Sequence, residues 1–252
     1  MWHRRDVVLG GALTVLFGSA QKCLCYDASA PHSRGCYLHN DDVNSIYPTG
    51  TSTGISGNDP IIPSSGDKLF DFALAQTLYM LSQKFGVRPG FAYYDDSAGA
   101  NAYATPTVRL ANADGTVLMG RGLLKTLRHM SEAPEVAVAG VCAHEFGHIV
   151  QFQYGLLDKV DLGQPTIKRG ELQADYFAGY FAGLRKLERP SFPATVVGLT
   201  IHGFGDTEFH DPNHHGTPEE RGRAVMRGFE AASSGKGLSD AIEESTAYVL
   251  GT

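Results

Sequence analysis

The residues best placed to do chemistry are His144, Glu145 and His148, which stand as His144-Glu145-Phe146-Gly147-His148. In a helix, positions four apart share a face, so both imidazoles can point at one metal ion. Glu145 can lean over the open side of that ion and take a proton from a metal-bound water, the general-base role this pattern implies. The preceding run, Val136-Ala137-Val138-Ala139 with Val141 and Cys142, is apolar nearly all round, so the helix is expected to be buried. Two histidines and a glutamate on a buried helix are costly without partners, and a metal is a natural partner.

A catalytic zinc wants a third protein ligand and an open fourth position. Glu171-Leu172-Gln173-Ala174-Asp175 supplies Glu171, with Asp175 one helical turn further on the same face. A carboxylate at Asp175 can accept the second ring N–H of a ligating histidine and fix its tautomer. Glu171 read alone could be a solvated residue at a helix start. The apolar stretch Tyr176 to Gly183 that follows favours the ligand.

These residues need elements to hold them. Apolar positions Phe70, Leu74, Leu78, Leu81 and Phe85 recur at helical spacing over 69–85, and Gly86 supplies a stop. Strand character follows at 90–94, 102–104, 107–111 and 116–119, with Asp114-Gly115 as a hairpin signal between the last two. Helices are expected over 122–130, 134–154 (opened by Pro134, closed by Gly155), 171–187, 194–204, 218–232 and 238–249. The expected class is α+β, a small antiparallel sheet beside a helical bundle.

Composition narrows the function. The chain has 252 residues and a formal net charge of −6. It carries no basic patch or stripe, so nucleic acid is not an expected partner. No apolar run reaches the roughly 18 to 20 residues that span a bilayer. No G-x-S-x-G elbow and no phosphate-binding G-x-x-x-x-G-K-[ST] loop occur. Residues 1–20 combine Arg4-Arg5, an apolar run from Val7 to Phe17 and small residues Gly18-Ser19-Ala20, which reads as a signal peptide and hence export to a periplasmic or extracellular compartment. The arginine pair loosely resembles a twin-arginine signal. Residues 21–66 form a Gly/Ser/Pro-rich arm expected to be poorly ordered, and 67–252 the metal-binding domain. Cys36 can pair with Cys23 or Cys25 in an oxidising compartment, or the thiols can stay free or pair between chains; Cys142 reads as a core residue. His129 and His202 read as structural histidines.

His144 to His148 together with Glu171-x-x-x-Asp175 resembles a gluzincin, a zinc peptidase whose third ligand is glutamate. The wording His-Glu-Phe-Gly-His, then Glu-Leu-Gln-Ala-Asp, is similar to the bacterial neutral zinc metallopeptidase family, and more distantly to HtpX-like peptidases. Asn101-Ala102-Tyr103-Ala104 resembles a strand of the second group, and His215-Gly216-Thr217-Pro218-Glu219-Glu220-Arg221 a segment found in both. The resemblance covers roughly 90–232. It departs in the absence of transmembrane helices, in the Gly/Ser arm, and in Tyr176 where a cysteine is common.

The resemblance implies a zincin-like fold and an endopeptidase with one zinc per chain on His144, His148 and Glu171. It makes Glu145 the base that later passes its proton to the leaving amine. An extended protein or peptide substrate would pair with a strand, either 101–105 or 116–119. It places His215 at the open side of the metal, stabilising an oxyanion or filling the fourth position. Arg221 either pairs with a carboxylate such as Asp175 or is an exposed arginine. The alternative function is a non-proteolytic metal-binding or chaperone-like module on the same scaffold. An intact Glu145 argues against it, because a structural zinc needs no base.

Overall fold

A computed structural model describes residues 60–252. The expected signal peptide, the arm up to residue 59, and Cys23, Cys25 and Cys36 lie outside the described residues. Within them the chain forms α1 (Lys68–Phe85), β1 (Gly90–Tyr94), β2 (Ala102–Thr105), β3 (Thr116–Gly120), α2 (Arg121–Arg128), α3 (Pro134–Tyr154), α4 (Leu157–Val160), α5 (Lys168–Glu188), α6 (Thr195–His202), α7 (Pro218–Ser233) and α8 (Leu238–Leu250).

Local chemistry explains where most helices begin and end. Asp67 caps α1 by accepting from the Leu69 and Phe70 amides, both at 3.1 Å. Pro134 occupies the first turn of α3, where its missing N–H costs nothing, and Gly155 in the left-handed region closes that helix. Thr217 and Glu220 form a reciprocal capping box at the start of α7. Helix α2 has no cap of its own at Gly120. Asp96, buried in the β1–β2 loop, supplies one by accepting from Gly122 N at 2.6 Å and Leu123 N at 2.9 Å, while also accepting from Asn101 N at 3.1 Å.

The sheet is three-stranded and mixed, in the order β1-β3-β2, rather than antiparallel throughout. β2 runs antiparallel to β3, pairing Tyr103 with Leu118, whereas β1 runs parallel to it, pairing Phe91 with Val117. Residues 107–111 are not a strand, so Asp114-Gly115 closes no tight hairpin between 107–111 and 116–119; β3 pairs instead with β2 across the longer loop 106–115. The backbone groups that a hairpin would use go elsewhere. Thr116 Oγ1 donates to Thr107 O and accepts from Arg109 N, while Asp114 binds the backbone of Arg88 through both its carboxylate and its amide. That clamp delivers β3 to β1. Outside the strand, Ile62 exchanges two backbone hydrogen bonds with Tyr93, at 2.7 and 2.9 Å.

The bundle is organised around α3, whose residues 136–151 are all buried. It packs against α1, α2, α5, α6 and β2. Helix α5 begins a turn earlier than its sequence pattern indicates, which places Glu171 inside the helix, and it lies between α3 and α7. Glycines set the spacing of both contacts. A Cβ on Gly179 would fall 1.9 Å from Val225 O of α7, and one on Gly228 of α7 would fall 1.8 Å from Tyr176 O. Across the other contact, a Cβ on Gly147 would lie 3.0 Å from Ala174 Cα.

Because the α5–α7 collision would be with backbone, no rotamer change can relieve it. Gly179→Ala and Gly228→Ala should each destabilise the protein by about 1–3 kcal/mol or more. Denaturant unfolding measures this, and a midpoint equal to that of the unaltered chain would contradict the close approach.

Candidate metal centre

Helix α3 projects His144 and His148 from one face, and α5 brings Glu171 against them. All three side chains are buried. Among the described residues this is the group of metal-ligating side chains whose donor atoms converge. His144 Nε2 lies 3.1 Å from His148 Nε2 and 3.4 Å from Glu171 Oε2, and His148 Nε2 lies 3.6 Å from Glu171 Oε1. Zinc bound at about 2.0–2.1 Å in a tetrahedron holds its donors about 3.3–3.4 Å apart, close to the separation of the two imidazole nitrogens and to that of each nitrogen from the Glu171 oxygen facing it.

The remaining ring nitrogens explain why those corners are bases. His144 Nδ1 donates to Asp175 Oδ1 at 2.8 Å, one turn along α5 from Glu171. His148 Nδ1 donates to Gln151 Oε1, also at 2.8 Å. With both protons on Nδ1, both Nε2 lone pairs face the Glu171 carboxylate. Three bases this close repel one another unless a cation lies between them. This donor set and geometry are compatible with one zinc ion.

The electrostatics carry the same demand. Burial works against a charged His144, yet Asp175 and Glu171 overcome it and raise its pKa to about 10. Burial dominates at His148 and takes it down to about 3. Glu171 is held well below the usual carboxylate range despite its burial, chiefly by the charge of His215 and the bond from His144. The cluster thus draws one positive charge to the point its donors share. Glu145 is also fully buried, its carboxyl is pushed up to about 8 by burial, and its Oε2 has no hydrogen-bond partner.

Helix α7 and the loop before it complete the surroundings. Arg221 is 1% exposed and grips Asp175 with two bonds, Nε to Oδ2 and Nη2 to Oδ1, both at 2.8 Å. Of the two readings open for this arginine, the structure contains the buried pair. His215 is buried as well, and its charge helps to lower the pKa of Glu171. Its backbone amide donates to Asp206 Oδ2 at 2.9 Å, and its Nδ1 lies 3.4 Å from the same oxygen. The other Asp206 oxygen binds His214 Nδ1. These histidines hold Asp206 well below the usual carboxylate range despite its partial burial.

Gln151, Gln173 and Asp206 are site residues that the sequence reading did not single out. Gln151 had a signal, since it lies three residues after His148 on the same helix face. Asp206 had none, because a loop brings it back to His215.

A small mixed sheet and a helical bundle thus hold, on two inner helices, a His-His-Glu cluster that could bind one metal ion, with the buried Glu145 next to His144 in the chain. Residues 97–192, from the loop before β2 to the end of α5, match the family described as "putative neutral zinc metallopeptidase". No curated protein and no solved structure matches the chain.

His148→Ala should bind less than one equivalent of zinc by elemental analysis, and full retention would remove His148 from the ligand set. Asp175→Asn should weaken zinc about 10- to 100-fold in a chelator titration. It should also destabilise the protein by about 3–5 kcal/mol, because Arg221 keeps its charge and loses the carboxylate that it grips with two bonds.

Proposed function

We propose that the chain is a zinc-dependent endopeptidase with a zincin-like fold, acting on protein or peptide substrates outside the cytoplasm. The observation that carries this reading is Glu145. It is a buried carboxylate with an uncommitted oxygen, adjacent in sequence to one of three converging ligands. A purely structural zinc site has no use for such a group. The family match over 97–192 supports the same class.

Zinc held by His144, His148 and Glu171 would polarise the scissile carbonyl and acidify the attacking water. Glu145 accepts that water's proton on its carboxylate and delivers it to the departing amine nitrogen. Asp175 and Gln151 keep the two imidazoles in the ligating tautomer. Asp206, which accepts from the His215 backbone amide, aligns His215 to stabilise the developing oxyanion. For the substrate backbone, β3 is paired on both sides, so β2 is the strand to which an extended peptide adds.

The test is cleavage of unfolded casein by the unaltered protein and by Glu145→Gln. The variant should keep its zinc and its unfolding transition while losing about 10²- to 10⁴-fold in rate, because an amide cannot accept the proton. Activity within about twofold would exclude Glu145 as the base. Export rests on residues 1–20; mass spectrometry of the extracytoplasmic protein should place its first residue near Gln21, and an intact cytosolic chain would overturn that part of the proposal.

A further inference from the structure

Two backbone carbonyls decide which way a chain of buried amides points. A carbonyl oxygen can only accept a hydrogen bond. Gly170 O lies 2.7 Å from Gln151 Nε2, so Gln151 turns its amino group toward α5 and its Oε1 toward His148. His148 Nδ1, 2.8 Å from that oxygen, must then be the protonated nitrogen. The Gln151 amino group also donates to Gln173 Oε1 at 3.1 Å. This commits the Gln173 amino group to Ser245 Oγ at 3.1 Å and Thr246 Oγ1 at 3.0 Å, both on α8. The two hydroxyls in turn donate to Ile242 O, at 3.0 and 2.8 Å. Gln151, Gln173 and Ser245 have no exposed surface.

We infer that Gln151 and Gln173 form a charge-free relay that fixes His148 in its ligating tautomer, making α8 a working part of the metal centre. The two histidines are therefore positioned by different chemistry. His144 donates to the Asp175 carboxylate, whereas His148 donates to a neutral amide whose orientation is set by Gly170 O and reinforced, through Gln173, from α8. Neutrality suits a pocket that already buries Glu145, Glu171 and Asp175, since a fourth carboxylate would have no cation to offset it. The relay is also directional. Reversing Gln151 would set its amino group against the His148 N–H and its oxygen against Gly170 O, two repulsive contacts at once.

This inference rests on His148 being a zinc ligand, and its readouts do not depend on proteolysis. In the zinc-loaded protein, long-range proton–nitrogen correlation spectra should show a His148 Nδ1 proton protected from exchange with water. Gln151→Met preserves bulk but removes the acceptor. It should shift that resonance, accelerate its exchange and weaken zinc about 10- to 100-fold in chelator competition. If that variant does not fold, the Ser245→Ala/Thr246→Val pair, which lies on α8, cuts the relay at its far end. It should shift the same His148 proton and weaken zinc by a smaller factor, while the His144 Nδ1 proton stays in place. An unchanged His148 proton and unchanged zinc affinity in whichever variant folds overturn the relay. Loss of zinc from the unaltered protein would instead be a failure of the site itself.

Discussion

Asp175 carries the heaviest electrostatic duty in the molecule. Its two oxygens bind the His144 ring of α3 and the Arg221 guanidinium of α7, while its own helix carries Glu171. One carboxylate thus fastens three helices at a point without exposed surface. Buried charges at such a point must nearly cancel. Arg221 offsets Asp175, which leaves Glu171 and the ionised form of Glu145. A divalent cation on the three donors adds charge of the sign that Glu171 and an ionised Glu145 favour.

That arrangement depends on helices coming closer than ordinary side chains allow. Gly179 and Gly228 let α5 and α7 touch backbone to backbone, and Gly147 does the same in milder form between α3 and α5. The glycines of these helices are therefore part of the site's geometry although none supplies a ligand atom. The weak intrinsic helix preference of glycine is outweighed by burial of residues 136–151 of α3 and 170–183 of α5.

What could be read from the sequence follows from how local each determinant is. The helix of residues 134–154 is fixed by Pro134, Gly155 and an uninterrupted apolar run. His144 and His148 share a face through spacing alone, and Glu171 and Asp175 do so on a second helix. Strand pairing is not local. Asp114-Gly115 carries a genuine turn signal, but its backbone partners are at Arg88, and β3 takes β2 and β1 as neighbours instead of 107–111. Arg221 and His215 were visible only through resemblance, since the α7 contact that delivers them leaves no mark at their own positions. Gln151 and Gln173 passed unremarked because a neutral amide resembles an ordinary polar residue until its partners are known.

The remote cap on α2 bears on how the chain reaches this structure. A helix of that length cannot sustain itself in water, and its first amides are satisfied by Asp96, which belongs to a different segment. The same carboxylate fixes the amide of Asn101 at the entrance to β2. The loop between β1 and β2 therefore couples α2 to β2, since ordering Asp96 favours both at once. Helices with caps of their own, such as α1 and α7, carry no such dependence on another segment.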